Sequence, residues 1–163
     1  MRALFLAIFS LISLVACNKA DAPETNINKP SGVPVITSNS IIDGTYCFRK
    51  LFNQDVTNIQ LTILGSAVTG KMDWIPYEKD SARGTLQGSI NALGELDLIY
   101  NYMIEGSQQT ETKIMKIGDG KLLIKMGELL DPKNDGNLVY KEVSQAKFSE
   151  VLERVKCNSA NLK

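Results

Sequence analysis

The chain has 163 residues, with 18 basic and 18 acidic side chains and no histidine. The even charge balance and the lack of a basic stripe argue against nucleic acid as a partner, since that binding rests on phosphate neutralisation. Without histidine the usual general base near neutral pH, the Ser-His-Asp arrangement and the commonest zinc ligand are all missing. The chain is therefore read as a non-enzyme that needs no cofactor.

The first element is an apolar run from Ala3 to Val15 behind Arg2. A short positive start and an apolar core describe a secretory signal. The run falls short of the roughly 20 apolar residues of a transmembrane helix. It ends Leu14-Val15-Ala16-Cys17, which resembles the bacterial lipobox. That resemblance implies cleavage before Cys17, a diacylglyceryl group on its sulfur and acylation of the new amine, a palmitate-type anchor in the membrane. Each buried CH₂ adds about 0.8 kcal/mol, so one acyl chain holds weakly and two or more hold firmly. Asn18, rather than Asp, favours the outer membrane, with the domain facing the periplasm or the cell surface. Residues 1–16 are thus read as a signal peptide, and 17–40 as the lipidated cysteine and a flexible linker. The stretch 18–40 has no aromatic residue and holds three of the five prolines. It cannot bury enough apolar surface to offset its ordering entropy, and as a coil it reaches about 25 Å.

Residues 41–163 are read as one β domain. "GTYCFRK" (44–50) is the first strand. "NIQLTIL" (58–64) alternates, with Ile59, Leu61 and Ile63 on one face. "AVTGKMDW" (67–74) places Val68, Gly70, Met72 and Trp74 together, and "GTLQGSI" (84–90) does so with Gly84, Leu86, Gly88 and Ile90. "ELDLIYNYMI" (95–104) aligns Leu96, Leu98, Tyr100, Tyr102 and Ile104. "TETKIMKI" (110–117) and "KLLIKM" (121–126) flank a Gly118-Asp119-Gly120 hairpin signal. "NLVYKE" (137–142) completes eight strands. Short, regularly spaced strands point to an all-β fold, a small antiparallel eight-stranded lipocalin-like barrel, with a β-sandwich as the alternative. Glycines on apolar faces suit sharply coiled strands. A simple meander puts tight turns at 64–66, 91–94 and 118–120 at one end. The longer connections 51–56, 74–83, 105–110 and 127–136 then surround an open mouth at the other. In the tail "SQAKFSEVLERVKC" (144–157), Phe148, Val151, Leu152 and Val155 have helical spacing behind Ser144 as N-cap. A short C-terminal helix is expected there, with a last strand as the alternative.

Three segments bear on chemistry. With Cys17 lipidated, Cys47 and Cys157 form an even pair, which an oxidising envelope joins as a disulfide. Residues 131–142 imitate a calcium loop through Asp131, Asp135, Gly136, Leu138 and Glu142. Lys133 sits where an oxygen ligand is needed, so the segment is read as a polar hairpin loop and no metal is assigned. The S-x-x-K spacing of Ser144 and Lys147 lacks its partner motifs and is set aside. In "WIPYEKDSARGT" (74–85), Trp74 and Tyr77 offer flat amphipathic faces beside Glu78, Asp80 and Arg83. With Glu105 at the same end, these are the candidate residues for binding a ligand or partner. Arg83 paired with Glu78 or Glu105 would lock the loops.

"YEKDSARGTLQG", "LIYNYMIEGSQQTE" and a terminal "VKC" set against an early "YCF" together resemble a group of small uncharacterised lipoproteins of Bacteroidetes-type bacteria. The likeness spans the signal and most of residues 44–158, and departs at Ser81-Ala82-Arg83. It implies an envelope address and a lipocalin-like β domain, and brings no activity with it. The expected function is that of a lipid-anchored envelope lipoprotein acting as a binding module at the long-loop end, for a small ligand or an envelope protein. The alternative is a periplasmic or surface inhibitor or assembly factor working by protein contact.

Overall fold

The computed structural model describes residues 41–158. The signal segment, Cys17 and the linker lie outside the described residues. Ten strands follow in order: β1 Gly44–Phe52, β2 Asp55–Leu64, β3 Ala67–Ile75, β4 Ala82–Ile90, β5 Leu96–Ile104, β6 Ser107–Gly118, β7 Lys121–Met126, β8 Leu129–Leu130, β9 Asn137–Tyr140 and β10 Lys147–Val155. β1 to β7 run as an antiparallel meander, and β10 then inserts between β7 and β1 to close an eight-stranded barrel.

Two expectations need correction. The segment expected as a C-terminal helix is strand β10, and no helix occurs among the described residues. "NLVYKE" supplies only the short β9, which lies outside the barrel in a hairpin with β8 and pairs in parallel with β6 at Thr110 and Glu111. Both follow from pairing. Closure needs a strand antiparallel to both β7 and β1, and β10 fits both edges.

Alternation sorts the side chains as the sequence implies. Ile59, Leu61, Val68, Leu86, Leu98 and Leu122 face inward and are fully buried, packed with Phe48 and Met115. Burying each such side chain stabilises the fold by about 1.5–3 kcal/mol. Inward glycines let the sheet bend hard enough to close. A Cβ on Gly84 would lie 1.9 Å from the Asn101 carbonyl oxygen, and one on Gly88 1.9 Å from that of Asp97. The backbones of β4 and β5 therefore approach where a side chain would hold them apart.

The two ends sort as a meander requires, with shorter loops than expected. β1–β2 and β5–β6 are joined by the two-residue turns 53–54 and 105–106. At the second turn Glu105 and Gly106 both have positive φ, 50° and 75°, the geometry that matches strand twist in a tight hairpin. Only 76–81 and 127–146 are long at that end, which is called the open end below.

The seam between β1 and β10 is the weakest ladder in the barrel. It pairs only Cys47 with Val155, Phe48 with Arg154 and Arg49 with Glu153, whereas β1 pairs with β2 along its whole length. A disulfide between Cys47 and Cys157, with Cα atoms 5.3 Å apart, pins this seam. The Arg154 guanidinium adds a contact 4.8 Å from the Tyr46 ring.

Gly84→Ala should cost about 2 kcal/mol through overpacking against backbone, seen as a lower urea midpoint; an unchanged midpoint would show that the approach is not needed. Replacing Cys47 and Cys157 together by Ala should cost about 2 to 5 kcal/mol, because the bridge closes a long loop. Equal stability of the doubly substituted and parent proteins would count against the bridge.

Candidate functional site

The barrel is packed solid in one half only. Towards the end carrying the 65–66 and 119–120 turns, the apolar side chains above fill the interior, with Ile41, Ile90 and Ile117 packed against them. Towards the open end the interior widens into a cup of about 330 Å³. Eight strands make a barrel just wide enough to be filled by side chains or to hold one small ligand. This one does each in turn along its axis.

One wall of the cup is largely apolar. Met72 and Trp74 come from β3, Ala82 from β4, and Tyr100, Tyr102 and Ile104 from β5. The two tyrosine rings stack, with centroids 4.5 Å apart and planes within 13°. Tyr100 Oη donates to the Met72 carbonyl at 2.9 Å, and Tyr102 Oη donates to Gln109 Oε1 at 2.9 Å. Burial pushes both phenols' pKa up; the carboxylates of Asp73 and Glu111 add to this at Tyr100, and that of Glu111 at Tyr102. The phenols therefore stay protonated as hydrogen-bond donors at neutral pH. The stabilisation linked to their protons is present below their ordinary pKa near 10 and is lost as pH rises above it.

The other wall carries charge. Glu111 and Lys113 occupy successive inward positions of β6, and Lys113 Nζ donates to the Glu111 carboxylate. Their side chains are only 14% and 11% exposed. Where the β1–β10 ladder has stopped, Lys50 Nζ meets Glu150 Oε1 at 3.3 Å, with side chains 36% and 23% exposed. Glu111, Lys113 and Glu150 line the cup, and Lys50 pairs with Glu150 beside it. Desolvating such pairs costs about as much as their attraction returns, so they are weak contributors to stability.

The expected site residues are distributed around this cup. Trp74 lines it at the rim. Trp74 also forms, with Asp55, Pro76, Tyr77 and Lys79, one side of a small cleft on the open end. There the Tyr77 N–H donates to Asp55 Oδ1 at 2.7 Å, tying the 76–81 loop to the β1–β2 turn. Glu78 and Asp80 are exposed on that loop, and Glu105 is exposed in the β5–β6 turn. Arg83 does not bridge to Glu78 or Glu105. It faces Asp73 across the β3–β4 ladder, 3.8 Å away on the outer surface. In the 131–142 segment, the Asp131 carboxylate accepts the N–H groups of Asp135 and Gly136 at 3.1 and 2.7 Å, and these bonds hold its pKa below the usual range. Among the described residues no three metal-ligating side chains converge.

Sequence reasoning missed Lys50, Glu111, Lys113 and Glu150. Period two in "TETKIMKI" puts Glu111 and Lys113 on the face of Met115 and Ile117, so the signal was there: two charges on an apolar face. A larger groove, about 550 Å³, lies on the outer surface between Leu93, Ile99 and Val143. Its buried pair, Lys125 with Glu95 at 3.3 Å, is covered by the Phe148 ring 4.9 Å from the ammonium. Its charged groups are therefore paired with each other and covered.

Glu111→Leu should lower stability by about 3 kcal/mol, because Lys113 is left buried and unpaired, and adding Lys113→Met should recover most of the loss. Chemical denaturation of the two variants checks this; equal stability of both would place the pair in solvent. No protein-family model, curated protein or solved structure matches this chain.

Proposed function

We propose that this is a lipid-anchored protein of the bacterial envelope, sited at the outer membrane, whose barrel holds one small molecule in the cup at its open end. The observation that carries the reading is the charged wall. A barrel with only a structural role would be filled with apolar side chains along its whole length, at lower desolvation cost. Here two ion pairs border unfilled space beside an aromatic wall. A mostly apolar concavity with a few convergent polar groups is the usual form of a small-molecule site. The apolar run before Cys17 supports the anchor, and the absence of histidine supports binding without catalysis. Trp74, Tyr77, Glu78, Asp80 and Glu105 then frame the mouth.

The second reading, an inhibitor or assembly factor acting by protein contact, draws support from the exposed Leu51, Phe52 and Tyr77 at the same rim. A pull-down from envelope extract that retains a stoichiometric enzyme would favour it.

Trp74 is the chain's only tryptophan, so its emission reports on the cup directly. Titrating a panel of octanoate, decanol, indole and naphthalene should shift that emission for at least one member. Ala82→Phe, which fills the cup, should abolish the shift while the protein remains folded by circular dichroism. No response from any panel member at millimolar concentration would defeat the reading.

A further inference from the structure

Resting on that reading, we infer that the occupant is a small uncharged molecule that both donates and accepts hydrogen bonds. Three observations lead there. The first is size. About 330 Å³ lies at the small end of ligand cavities, which suits a compact occupant.

The second is charge. The ionised groups lining the cup, Glu111, Lys113 and Glu150, together with the Lys50 paired to Glu150, sum to zero and are already matched in pairs. A singly charged ligand would have to break a pair or sit as an unbalanced charge in a low-dielectric space, and either is costly. A neutral ligand does neither. The unused valences are complementary: the Lys113 ammonium has three N–H groups and the Glu111 carboxylate about four acceptor sites. One N–H···O contact joins them. Side by side, the pair offers a donor and an acceptor to a matching edge, as in a lactam or an amide.

The third is the placement of apolar surface. Tyr100 lies directly across the ladder from Glu111, and Tyr102 from Gln109. The ion pair therefore adjoins the tyrosine side of the cup, and an occupant packed against that side reaches it. Met72 on β3 and Ala82 on β4 offer no polar side-chain partner, whereas Thr57 on β2 and Glu150 on β10 do.

The test is calorimetric titration of the full chain with four two-ring probes: quinolin-2-one (neutral, donor and acceptor), naphthalene (no polar edge), 2-naphthoate and naphthalen-2-ylmethylammonium. Quinolin-2-one should bind at least tenfold more tightly than each of the others. Glu111→Gln leaves the cup with one excess positive charge and should make 2-naphthoate the preferred ion by at least tenfold; Lys113→Gln should reverse that preference. If either ion binds the unmodified protein as tightly as quinolin-2-one, the neutral class is overturned and the cavity reading stands. Silence from all four probes, while decanol or octanoate still shifts Trp74 emission, also overturns the class and leaves that reading intact. Silence from both sets removes the two together. The rank order on the unmodified protein decides the matter even if a variant fails to fold.

Discussion

Closing the sheet is the constraint on which everything else in this molecule depends. A meander of seven strands leaves two open edges, and unpaired edge backbone invites association with other chains. β10 removes both edges by pairing with β7 and β1. The junction is poor on the β1 side, where only three residue pairs form before the strands part. The disulfide, the Arg154–Tyr46 contact and the Lys50–Glu150 pair all fall on or beside that junction. Covalent and charged contacts are concentrated where the ladder is shortest. The inward glycines solve the other half of the problem, letting β3 approach β2 and β4 approach β5 closely enough for the curvature a small barrel requires.

Closure also explains the cup. A small barrel has a fixed interior volume, and side chains either occupy it or leave it. At one end Ile, Leu, Val and Met fill the space. At the other, Gly84 contributes nothing, Ala82 contributes little, and Glu111, Lys113 and Glu150 stand along the wall as ion pairs. The aromatic side is held rigid by ring stacking and by hydrogen bonds from both phenols. Such a wall is organised before any ligand arrives, which lowers the ordering cost of binding. Glu111 and Lys113 stand on β6, the strand next to the tyrosines, so polar groups available to a ligand are fixed beside the aromatic side.

Much of this was legible in the residues. Strict alternation in 58–64, 67–74, 84–90 and 95–104 assigned strands and inward faces correctly, because those strands pair without interruption. The tail misled for a definite reason. A bulge between Phe148 and Glu150 shifts the register, so Phe148 and Val151 point outward while Glu150 and Leu152 point inward. The period of two is broken there, and the apolar residues fall into apparent helical spacing. "NLVYKE" is extended as expected, but it sits outside the barrel; local pattern says nothing about which edge a strand will pair with. The binding end was placed from loop chemistry, whereas the groups that face the cup stand on strand walls. Glu111 and Lys113 were visible as charges on an apolar face, and Lys50 shared the face of Phe48.

By itself the sequence determined the all-β class, the inward residues of β2 to β5, the pairing of Cys47 with Cys157, and the end at which the longer loops gather. Those follow from local periodicity and from counting. Tertiary structure alone decided that β10 is the eighth strand, that half the barrel is filled and half hollow, and that Glu111, Lys113 and Glu150 converge on the hollow. Each of these depends on which distant strands become neighbours, and neighbourhood around a closed sheet is set by register and curvature rather than by any short stretch of residues.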